Sequence, residues 1–220
     1  MTRIKTVVFD LDNTLYDAEQ FFKISFEKIA QYLSDVSGLS SRSLYDEMYK
    51  IWATKTSMYP YLFTDLLNDY DLQEKLPDVL QLFQDFDGEL EPYSGVAETL
   101  DYLKNAHLKL GIVTDGNAIR QAKKLNALHL SPFFDCVIYT DLLKRPKPSP
   151  VSFQYILKEL ATSPSSTVYL GDNPLIDFKG SKAIGMKTIR LMKGEFGYLP
   201  SDEDVDIEIL EFSELIEVIL

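Results

Sequence analysis

The sequence predicts an α/β protein: a parallel sheet with helices on both faces, interrupted after its first strand by a helical insertion. Three observations predict it. Short apolar runs at 4–9, 108–113, 136–139, 167–170 and 186–191 are too short for helices and read as buried strands. From residue 92 onward these runs alternate with segments of helical periodicity, the pattern of βαβ units. Residues 17–90 show helical spacing and no convincing alternating strand.

The elements follow in order. Ile4 to Phe9 is β-branched and bounded by carboxylates, which suits a buried first strand. Phe22, Phe26, Ile29 and Leu33 then share one helical face. Gly38 ends that helix, and the serines at 40, 41 and 43 offer an N-cap for the next. Leu44, Met48, Ile51 and Trp52 repeat the pattern, and Pro60, Asp71 and Pro77 punctuate further short helices down to about Phe86. Val96, Leu100 and Leu103 mark a helix ahead of the second strand. Ile119–Leu128 forms the next helix, ahead of the third strand. Phe153, Ile156, Leu157 and Leu160 lie on another amphipathic helix, followed by the fourth strand, a helix over 176–184 and the fifth strand. The expected domains are residues 1–16 with 91–220, an α/β core, and 17–90, a helical insertion.

Composition narrows the function. The chain has 220 residues, enough for one or two domains with a sizeable core. Asp and Glu number 34 against 22 Lys and Arg, a net charge of −12, so nothing favours nucleic acid or an anionic membrane surface as partner. A single cysteine, Cys136, excludes an intramolecular disulfide framework, and two histidines leave little material for a His-based metal site. The start, MTRIKTVVFDLDNTLYD, has no signal-peptide run, and no stretch of about 18 apolar residues exists, so the cytoplasm is the expected compartment.

Ligands of open α/β sheets bind beyond the carboxyl ends of the strands. Asp10, Asp12 and Thr14 follow the first strand, and Thr114, Asp115, Gly116 and Asn117 the second. Lys147 lies in a Lys-Pro-Ser-Pro segment, with Lys144 and Arg145 as neighbouring cations. Asp172 and Asn173 follow the fourth strand, with Asp177 five residues beyond Asp172. Clustered carboxylates repel each other, and a divalent cation relieves that repulsion. Carboxylate oxygens suit Mg²⁺, which shares its shell with phosphates. Thr114 and the amides around Gly116 suit phosphate oxygens, and Lys147 offers a fixed positive charge to a phosphoryl group in transfer.

FDLDNTLYD at 9–17, VTDGN at 113–117, KPSP at 147–150 and GDNPLIDFKGSKAIGM at 171–186 together resemble the motifs of the haloacid dehalogenase superfamily, in order and spacing. The resemblance implies a Rossmann-like core with an α-helical cap of the first type, inserted between the first two motifs. It also implies a Mg²⁺-dependent phosphatase acting on a small-molecule phosphate ester. Carried over by position, Asp10 would be the nucleophile that forms an aspartyl-phosphate. Asp12 would be the general acid and then the general base. Mg²⁺ would be held by Asp10, Asp172 and the backbone carbonyl of Asp12. Phosphate would meet Asp10, Leu11, Asp12, Thr114, Asp115, Gly116 and Lys147. Thr14, Asn173 and Asp177 would support that shell. Trp52, Tyr59 and Tyr61 are candidates for lining a substrate pocket, although aromatics at such spacing are more often core.

Rival readings share part of this constellation. A haloacid dehalogenase needs neither a proton donor two residues after the nucleophile nor a metal, so Asp12 and Asp172 argue against it. A phosphomutase shares the whole site and differs in retaining the phosphoryl group. A phosphonate-cleaving relative needs a cap lysine, for which Lys50 and Lys55 have no motif support. A non-catalytic receiver domain would be shorter and would lack the insertion. The substrate class stays open among nucleotides, sugar phosphates and short phospho-acids, and the oligomeric state is unreadable.

Overall fold

The structure is a computed structural model that describes residues 3–219. Six parallel strands are ordered β3-β2-β1-β4-β5-β6. They are β1 (Thr6–Phe9), β2 (Lys109–Thr114), β3 (Cys136–Tyr139), β4 (Thr167–Gly171), β5 (Lys187–Leu191) and β6 (Ile207–Ile209). The chain divides into two compact units, Met1–Ala18 with Glu89–Leu220 and Glu19–Gly88.

In the α/β unit, β1 lies between β2 and β4, with Phe9 in register with Ile112 on one side and Leu170 on the other. The chain runs from β1 through β2 to the β3 edge and then crosses back to β4, so the strand order reverses between β1 and β4, and a crevice at the carboxyl end of such a switch point is where ligands of this fold class bind. Alternate residues of β1 face opposite layers. Val8 packs in a cluster with Val113, Phe153, Ile156, Tyr169 and Phe178, under α8 (Pro150–Glu159) and α9 (Phe178–Ala183). Phe9 stacks on Phe212, 5.9 Å between ring centroids. Because a strand covered on both faces buries nearly all its side chains, every residue of β1 is buried.

The expected strands and helices are present with ends shifted by a few residues, the helix ahead of β2 being α5 (Val96–Asn105). The β1 ladder starts at Thr6 rather than Ile4. Among the described residues, two α-helices and a strand have no counterpart in the sequence pattern: the one-turn α7 (Thr140–Leu143), α10 (Leu215–Ile219) and the edge strand β6. Each is only three to five residues long, too short for periodicity to register. Glu208 projects from β6, a charge that discourages edge pairing.

The helical unit comprises α1 (Glu19–Ser37), α2 (Ser41–Lys55), α3 (Leu62–Asp69) and α4 (Leu76–Gln84). Ser40 caps α2, accepting from the Ser43 amide at 3.3 Å, and Pro77 stands in the first turn of α4, where a missing N–H costs nothing. Phe26, Ile29, Leu33, Leu44, Met48 and Leu66 form its core. Trp52 belongs to that core, 5.1 Å from Phe22 and 5.4 Å from Tyr49 by ring centroids. Tyr59 donates its hydroxyl to Asp65, and Tyr61 is exposed. No helix among the described residues is long and apolar enough to cross a membrane.

Candidate active site

Asp10 is the first residue after β1 and is tied to the neighbouring strand by its amide, which donates to the Leu170 carbonyl at 2.8 Å. The chain then turns tightly, Leu15 N–H donating to the Leu11 carbonyl at 3.0 Å, with Asn13 left-handed at φ 59°. An asparagine tolerates that conformation, and its Oδ1 accepts from the Ala18 amide at 3.1 Å. Leu11 has its side chain fully buried, so it can offer a ligand only its backbone.

Lys147 lies where the sequence pattern predicts, on a loop with a cis bond to Pro148. Its buried Nζ donates to Asp10 Oδ1 and to Asp177 Oδ1, both at 2.6 Å. Burial works against the ammonium, but the charges of Asp10 and Asp177 outweigh it and hold the lysine protonated. Asp10, by contrast, is pushed up to about 7: burial and the charge of Asp177 outweigh the pull of Lys147. Lys144 instead pairs with Asp141 near the surface, at 2.8 Å.

Asp177 is a hub. Its Oδ1 also accepts from the Tyr169 hydroxyl at 3.0 Å, and its Oδ2 accepts from the amides of Asp172 and Asn173 at 3.1 and 2.9 Å. The approach is close enough that a Cβ on Gly171 would lie 2.5 Å from Asp177 Oδ2, so only glycine fits there. Asn173 is buried and folds its Oδ1 onto the Leu175 amide at 3.0 Å. Arg190, fully buried on β5, clamps the same loop from behind: Nε donates to the Asp172 carbonyl at 3.0 Å, while its terminal nitrogens hold the Phe196 and Leu199 carbonyls and the Ser201 hydroxyl.

Asp10, Asp172 and Asp177 offer carboxylate oxygens within 4.8 Å of one another. Both oxygens of Asp177 already have donors. Asp172 differs: Oδ1 accepts from the Thr14 hydroxyl at 3.4 Å, and Oδ2 is buried with no hydrogen-bond partner. Burial and the charges of Asp177 and Asp10 push the Asp172 carboxyl well above the usual aspartate range. An orphaned acceptor among crowded carboxylates fits a hard divalent cation held by Asp10 and Asp172, not by Asp177.

The second-strand loop uses its side chains on the scaffold. Asp115 Oδ1 accepts from the Thr140 hydroxyl at 2.6 Å and from the Lys147 amide at 3.1 Å, so this carboxylate positions the Lys147 loop. Gly116 has φ 101°, a conformation that favours glycine, and Asn117 caps α6 (Ala118–Ala127) by accepting from the Ile119 and Arg120 amides. Thr114 is buried and its Oγ1 accepts from Gln121 at 2.7 Å.

Asp12 is held by three side-chain donors. Lys124 and Gln121 donate to it at 2.7 Å each, and so does the Tyr16 hydroxyl. Burial alone would raise its pKa, but the Lys124 charge and these hydrogen bonds hold it below the ordinary aspartate value. Lys124, itself buried, is brought down to about 8 in spite of Asp12. Sequence reasoning misses Gln121, Lys124, Tyr16, Tyr169, Thr140 and Arg190. On α6 the structure exposes Ile119 and buries Gln121 and Lys124, an inversion of polarity that the residue order of the helix does not announce.

Known proteins resemble this chain along nearly its whole length. The profile of haloacid dehalogenase-like hydrolases matches residues 7–191. A glyceraldehyde 3-phosphate phosphatase of Methanocaldococcus jannaschii is 34% identical over 221 residues, covering 98% of this chain and 97% of its own. A pyrophosphatase, PpaX, of Bacillus mycoides is 31% identical, covering 85% of this chain and 83% of its own. The crystal structure of a HAD phosphatase from Thermococcus onnurineus superposes with a TM-score of 0.70 at 27% identity, covering 98% of this chain and 97% of that one. A six-stranded parallel sheet with carboxylates, a threonine and a lysine gathered at its strand ends, matched by this profile and these relatives, is that of a hydrolase: the chain belongs to the haloacid dehalogenase-like family.

Proposed function

We propose that the protein is a Mg²⁺-dependent phosphatase that hydrolyses a small phosphomonoester through an aspartyl-phosphate on Asp10. The observation that carries this reading is the buried Lys147 ammonium, 2.6 Å from Asp10, beside an Asp172 oxygen with no partner. A carboxylate nucleophile needs a cation on each flank to meet a phosphate dianion, and Lys147 supplies one. Asp10, Asp172 and the Asp12 backbone carbonyl would hold Mg²⁺, which supplies charge neutralisation to the phosphoryl oxygens.

In the first step an Asp10 oxygen attacks phosphorus and the ester P–O bond breaks. Asp12 gives its proton to the departing oxygen. In the second step Asp12 takes a proton from water, the water oxygen bonds to phosphorus, and the Asp10–phosphorus bond breaks, releasing inorganic phosphate. The Asp12 carboxylate with its three donors is the ionised form that the second step uses; for the first step it must carry a proton and part from Lys124. The Thr114 hydroxyl and the Gly116 backbone would hold the remaining phosphate oxygens.

We assign residues 19–88 the role of the substrate-selecting cap. The 34% identity to a glyceraldehyde 3-phosphate phosphatase makes a triose phosphate the first substrate to test. Sugar phosphates, nucleoside monophosphates, short phospho-acids and pyrophosphate complete the panel. Purified protein with Mg²⁺ is expected to release phosphate from at least one of them, to fall silent in EDTA and to recover with Mg²⁺. Asp10→Asn should drop turnover at least about a hundredfold, the lower end of what acid–base groups alone contribute. Activity indifferent to chelation, or retained in that variant, would overturn the mechanism.

A further inference from the structure

Gln121 has no part in the steps above, yet it is almost wholly buried and touches two groups that do. Its Nε2 donates to Asp12 Oδ2 and to Thr114 Oγ1, both at 2.7 Å. A primary amide nitrogen carries two hydrogens, so both are committed, one to each acceptor. Gln121 Oε1 is buried with no hydrogen-bond partner, so the other end of the amide adds nothing to fixing it. Turning the amide over would set its oxygen against the Asp12 carboxylate, which fixes the orientation with nitrogen toward Asp12 and Thr114.

The effect on each acceptor differs. A threonine oxygen that accepts from Gln121 keeps its own hydrogen for another partner. Within the fold that partner is the adjoining Asp115 carbonyl at 3.4 Å, a long contact that a phosphate oxygen would readily displace. The hydroxyl is therefore set as a donor before ligand arrives. At Asp12, Gln121 takes Oδ2 while Lys124 and Tyr16 take Oδ1, so the two oxygens are distinguished. Lys124 lies one turn along α6 from Gln121, and both polar side chains are buried while Ile119 is exposed. A helix that turns an isoleucine outward and a glutamine inward gives up apolar burial for this placement.

We propose that Gln121 is a positioning residue that couples the phosphate-binding hydroxyl of Thr114 to the proton-transferring carboxylate of Asp12, so that phosphate occupancy and Asp12 alignment are one event. The proposal rests on the phosphatase reading above for the roles of those two groups. The geometry that motivates it is independent of that reading.

The test uses the full chain with Mg²⁺ and two variants of similar length, Gln121→Met, which has no donor, and Gln121→Glu, which sets an acceptor against both partners. Turnover, KM and inhibition by inorganic phosphate are measured, with phosphate binding followed directly by calorimetry. Gln121→Met should lower kcat about 10–100-fold, at and below the low end of acid–base effects. It should weaken inorganic phosphate about fivefold, the worth of one neutral hydrogen bond. Gln121→Glu should lose more of both. In a Thr114→Val background, Gln121→Met should no longer change phosphate affinity, because its effect runs through the hydroxyl. Folded variants with kcat and phosphate affinity within about twofold of wild type overturn the proposal, as does an equal phosphate loss in both backgrounds. If Gln121→Met fails to fold, Gln121→Glu decides by the same two readings. Failure of the reading beneath is distinguishable: Asp10→Asn would then keep its turnover, while the phosphate-affinity comparison would still judge Gln121. Wild-type protein that binds no inorganic phosphate overturns both.

Discussion

The two units of this chain bury different things. In the helical unit the buried residues are apolar with one polar exception among those described, Ser25, and the charged groups pair at the surface, as Lys28 with Asp87 and Arg42 with Asp46. In the α/β unit Asp10, Lys124, Lys147, Asp172, Asp177 and Arg190 are all buried. Burying charge is costly unless each group is paired, and breaking one pair exposes its partner to the full penalty. The helical unit is thus built for stability and the α/β unit for chemistry. A side-chain loss should therefore be felt differently in each.

Lys147→Met sharpens that contrast most. It removes the cation between Asp10 and Asp177 while keeping a chain of similar length. Beyond abolishing turnover, it should cost about 3–5 kcal/mol of stability at neutral pH, the usual result of leaving buried charge uncompensated. The loss should shrink toward pH 5, where Asp10, raised to about 7 even beside Lys147, carries a proton. Denaturant melts at pH 5 and 7.5 check this, and an equal loss at both would show that the carboxylates do not depend on Lys147.

Trp52→Ala is the counterpart in the helical unit. Its indole packs against Phe22 and Tyr49, so truncation should cost about 3–5 kcal/mol through lost burial and the cavity left behind. That cost carries no pH dependence between 5 and 7.5, unlike the loss at Lys147. Below the melting transition, the Mg²⁺ affinity measured by calorimetry should stay at the wild-type value. A pH-dependent loss, or weaker metal binding in the folded variant, would break the division between the two units.

The same contrast explains which features the amino-acid sequence discloses and which it hides. Strands buried on both faces leave an apolar run followed by polar residues, and Asp10, Thr114 and Asp172 stand at those transitions. Helices of the insertion are legible because Phe26, Ile29 and Leu33 keep strict spacing around an apolar core. The hidden features are polar and come from elements whose direction the sequence does not announce. Gln121 and Lys124 are polar residues of α6 that point inward. Arg190 lies in an apolar strand and holds four acceptors, three of them backbone carbonyls that have no sequence signature. Asp115 reads as a phosphate ligand by position, and its side chain braces the Lys147 amide.

The smallest expected effect is a linkage between Mg²⁺ and pH within the α/β unit. Asp10 is raised from 3.8 to about 7, and Asp172 is raised as well, chiefly by burial. Between about pH 4 and 7 the folded protein therefore holds more protons than the unfolded chain, and stability falls as pH rises through that window. Asp12 has the opposite sign, since its lowered pKa gives stability that is lost only as pH drops below about 4, outside the window. Lys124, lowered to about 8, adds stability only as pH climbs above 8. Mg²⁺ at the proposed site would take the ionised form of Asp10, so at pH 5.5 it would have to displace that proton and at pH 7.5 much less of it. The metal should raise the melting temperature more at pH 7.5 than at 5.5. A differential of one kcal/mol appears as about 2–4 °C in a chain of this size. Thermal melts with and without Mg²⁺ at the two pH values measure it. Asp172→Asn should flatten the difference, because it removes one of the proposed cation ligands, and a metal shift that is the same at both pH values in wild type would mean that the cation is held elsewhere.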